Sequence, residues 1–162
     1  QLIGWMRQAG FVVVDRGRDG RQIGFSQAKG RIAGRIDGVV MSGPTALPYP
    51  VLLEVKCLNN RSWQDLVKHG LAVSKEIYNA QIHLYMAYLD LKSALFCAEN
   101  ADTMELWWLL IPLDVAEAQR ASDRGVQVVE MGEAGETPPR IAAYSDHYLC
   151  RMCRFADHCW KG

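Results

Sequence analysis

The stretch Val51-Leu-Leu-Glu-Val-Lys-Cys-Leu58 constrains this chain more than any other: it is apolar, β-branched and of strand length, yet two opposite charges, Glu54 and Lys56, interrupt it. Side chains alternate along a strand, so Glu54 and Lys56 project on one face while Leu53, Val55 and Cys57 point to the other. A carboxylate and an ammonium placed beside an apolar core cost several kcal/mol unless they pair or bind something. A strand-surface ion pair would meet that condition, and so would a reactive site. The neighbouring sequence decides between them.

Upstream lies a second strand-like run, Gly34-Arg-Ile-Asp-Gly-Val-Val40, in which Asp37 sits among apolar residues with glycines on either side. Glycine permits close backbone approach. If the two strands are neighbours, Asp37 and Glu54 come within a few ångströms of each other, which raises one carboxyl pKa in the absence of a cation. A hard divalent ion such as Mg²⁺ relieves the repulsion, because it takes oxygen ligands in octahedral geometry. Lys56, on the face of Glu54, is then placed to orient or deprotonate a metal-adjacent water or to stabilise charge developing on a phosphate.

With Leu53-Glu-Val-Lys56 following Gly34-Arg-Ile-Asp-Gly38, and Gln81-Ile-His-Leu-Tyr85 following both, the chain resembles the PD-(D/E)XK nucleases. Within them it is similar to the RecB-like and phage (lambda-type) exonuclease branch, a subset of which carries a C-terminal cysteine cluster. The resemblance implies metal ligation by Asp37, Glu54 and the Val55 carbonyl, with Lys56 as the catalytic lysine. It implies that Gln81 bonds near that lysine or to a phosphate and that Tyr85 contacts the DNA backbone. It also implies a further acidic residue upstream of Gln1, so an N-terminal segment is expected to precede this sequence.

Composition sets the bounds. With 162 residues and 49% hydrophobic content, the chain can bury one real core. Lys and Arg number 18 and so do Asp and Glu, leaving no net charge. Any nucleic-acid surface must therefore come from local clusters or from a metal. No apolar run reaches the roughly 18 residues of a membrane span and no signal peptide opens the chain, so a soluble cytoplasmic protein of a bacterium or phage-infected host is expected. Five cysteines, three of them close together at the end, fit a reducing compartment and metal ligation better than disulfides.

Taken in order, Leu2, Trp5 and Met6 at helical spacing before Gly10 predict an amphipathic helix. Phe11–Asp15 predicts a strand, Asp19-Gly20 a hairpin turn and Gln22–Phe25 the return. Lys29, Arg31 and Arg35 approach the Asp37 strand and are candidate phosphate contacts, the alternative being solvated charge. Pro44, Pro48 and Pro50 predict an exposed loop. Ser62 is the expected N-cap of a short helix from Trp63 to about His69, on which Lys68 is a candidate DNA contact and Trp63 either a second one or packing. Lys75–Leu91 is the strongest helix, with Ile77, Ala80, Leu84 and Tyr88 at helical intervals and Gln81 and Tyr85 one turn apart. Ser93–Ala98 and Glu105–Ile111 predict an antiparallel pair in which Cys97 is a buried small hydrophobe and at least one of Trp107 and Trp108 is core. A helix capped by Asp114 is expected to end near Arg124, and Gly132–Pro139 reads as a mobile linker.

The tail Cys150-Arg-Met-Cys153-Arg-Phe-Ala-Asp-His-Cys159 presents a Cys-x-x-Cys pair and a third thiol, a set that suits zinc or an iron–sulfur cluster. His147 precedes it at a chelating spacing. The resemblance implies instead a four-cysteine iron–sulfur site whose first cysteine lies upstream of this sequence. In either case the metal is expected to staple the tail to the core.

The whole reads as an α/β, restriction-endonuclease-like fold with a central mixed sheet flanked by helices. The nuclease core is expected over residues 1–125, a linker over 126–146 and a metal-binding tail over 147–162. The expected function is Mg²⁺- or Mn²⁺-dependent DNA hydrolysis, by an exonuclease of phage-type recombination, replication or end processing, with phage recombination or replication proteins as possible partners. The alternative is a DNA-binding or assembly module that retains the fold without activity. Oligomeric state is open.

Overall fold

Leu52 and Leu53 are consecutive residues of one strand and both are fully buried, so that strand carries core on both of its faces. The computed structural model describes residues 1–161 and organises them around it. The strands are β1 (Val12–Val14), β2 (Gly24–Gln27), β3 (Ile32–Arg35), β4 (Gly38–Ser42), β5 (Val51–Leu58), β6 (Ser93–Asn100) and β7 (Leu106–Pro112). The helices are α1 (Leu2–Gln8), α2 (Asn60–His69), α3 (Leu71–Ser74), α4 (Glu76–Tyr88), α5 (Val115–Ala134), α6 (Tyr148–Arg151) and α7 (Ala156–Lys161). The main sheet is mixed and has the order β1-β4-β5-β6-β7, with β2 and β3 forming a separate antiparallel hairpin.

Among the described residues only β5 and β6 run parallel, Glu54 opposite Phe96 and Lys56 opposite Ala98. A parallel pair needs a long crossover, which α2, α3 and α4 supply. Those helices cover one face of the sheet, where Leu66, Leu71, Ile82 and Met86 pack on Leu52, Leu58, Phe96 and Ala98. On the other face Leu2 and Met6 of α1 pack on Val13, Val40, Val51, Leu53 and Cys97. Each fully buried side chain of this size is worth about 1.5–3 kcal/mol relative to exposure. The two-faced burial of β6, apolar from Ala94 to Ala98, is what a strand beside a parallel partner requires.

Several expectations shift in detail. The run from Gly34 to Val40 is not one strand: it breaks at Ile36-Asp37, where the chain leaves the β2–β3 hairpin and enters the main sheet. The cap of α2 is Asn59, not Ser62; its side chain accepts the Ser62 N–H at 2.9 Å, and Gly70 ends the helix at φ +76°. The buried face of α4 is formed by Ile82, His83 and Met86, whereas Ile77 is 55% exposed. Trp63 is half-buried and donates its indole N–H to the Ala98 carbonyl at 3.3 Å, the packing alternative. Trp107 packs on Phe96 while Trp108 is exposed, and Cys97 is buried, which pushes its thiol up to about 12. Asp114 does cap α5, accepting the Glu117 N–H at 3.0 Å, but that helix continues to Ala134.

By contact the chain divides into Gln1–Val126 and a second unit from Gln127 onward. Within the second unit, Arg140 donates to the Cys159 carbonyl at 3.0 Å and stacks on Trp160, and the His147 ring lies against Tyr144 and Tyr148. Among the described residues no helix is long and apolar enough to cross a membrane.

Candidate active site

The ladder between β4 and β5 pairs Gly38 with Leu53 and goes no further. Beyond it, the Asp37 side chain takes over: its Oδ2 accepts the Val55 N–H at 2.7 Å. Gly38 lets the chain in at this point, since a Cβ there would meet the Val14 carbonyl at 3.1 Å and a Val13 methyl at 3.2 Å. Asp37 is thereby fixed against the segment of β5 that carries the two charges.

Glu54 is 2% exposed. Its Oε1 accepts a hydrogen bond from Lys56 Nζ, while its Oε2 is buried with no hydrogen-bond partner. Burial holds the carboxyl above the usual carboxylate range, Lys56 opposes that rise, and the Asp37 charge adds to it. An unpartnered buried carboxylate oxygen is costly and rare. The Lys56 ammonium also lies 4.9 Å from the centre of the Tyr78 ring, so it is held between a carboxylate and an aromatic face.

On α4, Gln81 Nε2 donates to the Tyr85 hydroxyl at 2.8 Å. Gln81 is therefore turned to Tyr85, while Lys56 is held by Glu54 and Tyr78. The Tyr85 ring packs edge-on against Phe25 at 5.3 Å and closes on Gly34, where a Cβ would come within 2.4 Å of Tyr85 Cε1. Tyr85 and Asp37 line the same open cleft of about 1450 Å³, together with Arg35 and the hairpin from Asp15 to Gln22.

Among the other predicted contacts, Lys29 sits in the β2–β3 turn at a left-handed φ of +56°, with exposed Arg31 following it. Arg35 reaches the cleft wall, and Lys68 is exposed on α2. Residues not singled out from sequence also shape the site. Tyr78 braces Lys56, Gln22 donates to the Ile36 carbonyl at 2.9 Å just before Asp37, and Phe25 braces Tyr85. Only Tyr78 left a trace in the sequence, since it falls at helical spacing from Gln81 and Tyr85 on the same helix; the others depend on how a separate hairpin docks.

The donors around Asp37, Glu54 and the Val55 carbonyl are hard oxygens, and the unpartnered Glu54 Oε2 is an atom that a divalent cation would satisfy, so these residues fit such an ion. The tail is different. Cys150 is buried, Cys153 exposed and Cys159 intermediate, all three are free thiols, and His147 Nδ1 is buried without a hydrogen-bond partner. Among the described residues no group of three or more His, Cys, Asp or Glu is gathered to hold a metal. Cys150, Cys153, Cys159 and His147 thus do not fit zinc or an iron–sulfur cluster as they stand.

A mixed sheet flanked by helices, with an acidic residue at a strand entry facing a Glu-x-Lys strand, defines the class of fold. No protein-family model matches the sequence, and no curated protein matches it. Among solved structures, the chain is similar to the crystal structure of an alkaline exonuclease from Laribacter hongkongensis, with a TM-score of 0.62 and 20% identity over 83% of this chain and 63% of that one. It is equally similar to LHK-Exo in complex with dAMP, with a TM-score of 0.62 and 21% identity over 83% and 63% of the two chains. At these identities the likeness establishes the fold, and the chain spans 63% of the exonuclease's length.

Proposed function

We propose that this chain is a Mg²⁺- or Mn²⁺-dependent DNA exonuclease, with Asp37, Glu54 and the Val55 carbonyl holding the ion and Lys56, Gln81 and Tyr85 serving the substrate. The observation that carries the reading is the buried, unpartnered Oε2 of Glu54, set beside Asp37 and Lys56. When bound, the ion supplies Lewis acidity and a water of lowered pKa. Lys56, fixed by Glu54 and Tyr78, orients the attacking water and offsets charge on the phosphate. The Gln81–Tyr85 pair places a hydroxyl toward the cleft for a phosphate oxygen. Lys29, Arg31, Arg35 and Lys68 steer the backbone without reading sequence. A cytoplasmic role in phage-type recombination, replication or end processing rests on the sequence resemblance. A zinc or iron–sulfur site at the tail rests on its cysteine spacing alone.

Cleavage of end-labelled linear DNA and of closed circular DNA with Mn²⁺, beside Asp37→Asn, tests the reading. Asparagine can still accept the Val55 N–H, so the fold is retained while an anionic ligand is lost. Degradation of the linear form alone, absent in the variant, is the expected result. Nicking of the circle would make the protein an endonuclease. No cleavage of either form by the unaltered protein would leave the DNA-binding or assembly module.

A further inference from the structure

The order β1-β4-β5-β6-β7 gives β7 a partner on one side and, among the described residues, no strand on the other. Its side chains divide by face. Trp107, Leu109 and Ile111 turn to the core beneath the crossover helices, whereas Leu106, Trp108 and Leu110 are exposed on the opposite face. A free edge is ordinarily blunted by a charge, a bulge, an internal proline or shortness, because its unpaired N–H and C=O groups otherwise recruit another strand. None of these devices is present in β7. Leu106-Trp-Trp-Leu-Leu-Ile-Pro112 is seven residues long and carries no charge, its register with β6 runs unbroken, and its one proline is the last residue.

Such an edge takes an extended strand, and β7 is its own complement. A two-fold axis through Leu109, perpendicular to the sheet, lays an antiparallel copy along the full strand: Leu106 meets Pro112, Trp107 meets Ile111 and Trp108 meets Leu110, each pair twice. That axis keeps the faces in step, so the exposed Trp108 of one copy lies beside the exposed Leu110 of the other. No charge meets a charge along the seam. The chain has no net charge either, so repulsion does not oppose self-association. Full overlap supplies about one hydrogen bond per residue pair, or about six once proline is discounted, within the roughly 5–15 of a protein interface. We infer that the outer edge of β7 docks a second copy of this chain through an antiparallel β7–β7 seam, making one sheet continuous across the two. The inference is independent of the nuclease reading, because β7 holds no residue of the Asp37 site.

Sedimentation equilibrium of the full chain from about 1 to about 100 µM covers the affinities of a small interface and should show monomer in exchange with dimer. Trp108→Glu/Leu110→Glu sets carboxylate against carboxylate twice across the seam and should raise the dissociation constant by at least about tenfold. Trp108→Glu/Leu110→Lys replaces the same two exposed side chains, yet sets each new carboxylate against the partner copy's new ammonium, and should restore the dimer. Both variants lose the same residues, so a folding defect would strike them alike, and circular dichroism matching that of the parent checks this. A chain that stays monomeric at the highest concentration would overturn the proposal, as would a trimer. So would two variants that associate equally well or equally poorly, since only the stated register separates them.

Discussion

Lys56→Met should cost stability in a way that depends on pH. Glu54 is 2% exposed, and in its side chain's surroundings the Lys56 ammonium, itself only 22% exposed, is the partner that compensates its charge. Breaking such a pair by removing one member leaves a buried charge, at about 3–5 kcal/mol. The carboxyl has an alternative, which is to take up a proton. From an ordinary pKa of 4.5, uptake at pH 7 costs about 3.4 kcal/mol and at pH 5 about 0.7 kcal/mol, at 1.36 kcal/mol per unit. The smaller cost governs, so the variant should lose about 3 kcal/mol at pH 7 and under about 1 kcal/mol at pH 5. The sign follows from a raised carboxyl: the native state with a neutral Glu54 is favoured below the ordinary pKa, and that advantage is lost as pH rises. Urea unfolding in EDTA at both pH values measures the difference, and the loss relative to the parent for Glu54→Gln/Lys56→Met should be nearly the same at both. Equal losses at pH 5 and pH 7, or a loss below about 1 kcal/mol at pH 7, would refute the reasoning.

Gly34→Ala drives a Cβ to 2.4 Å from Tyr85 Cε1 and 2.8 Å from Phe25 Cε1; it should cost about 1–3 kcal/mol and reduce cleavage, and a melting curve unchanged from the parent would contradict this. His83, whose pKa burial lowers against the pull of Asp114 and Glu117, accepts the Asp114 N–H at 3.2 Å on Nδ1. Its contribution is complete above the ordinary value of 6.5 and is lost as pH falls through it, so His83→Gln should flatten the decline in unfolding midpoint between pH 7.5 and 5.5; an unaltered decline would exclude the assignment. The tail thiols are not gathered around a common point, so anaerobically purified protein should carry no stoichiometric zinc or iron by elemental analysis; bound metal that is lost on Cys153→Ser would show that the cysteine spacing outweighs the geometry.

Strand β5 was legible to the residue because it carries its own signal: an apolar run at strand length with its charges on one face. Helix α4 was legible as a helix but not in its orientation, since Ile77 and Ala80 compete with Ile82 and Met86 for the core and only the docking of the crossover decides between them. The break at Asp37 was hidden for a related reason. Local preference from Gly34 to Val40 is extended throughout, and the change of sheet comes from Gln22 holding the Ile36 carbonyl and from Asp37 taking the Val55 amide, contacts between residues far apart in sequence. Asn59 and Ser62 are both good capping residues, so the choice turned on where the strand ended. The full-length β5–β6 pairing, down to Leu58 opposite Asn100, set that point.

Asp37 replaces a rung. Where the β4–β5 ladder stops, a side-chain oxygen does what a backbone carbonyl does elsewhere. The same carboxylate thus joins two segments of chain and faces the cleft, so a change that removes its acceptor oxygen is penalised twice, once in assembly and once in chemistry. Asparagine at this position keeps the rung and drops the charge, whereas loss of Lys56 leaves Glu54 buried without its partner, so the cheaper way to discard catalysis from such a fold is the amide at position 37. An inactive descendant of this protein should therefore be recognised by an asparagine that still closes the ladder beside an unchanged lysine.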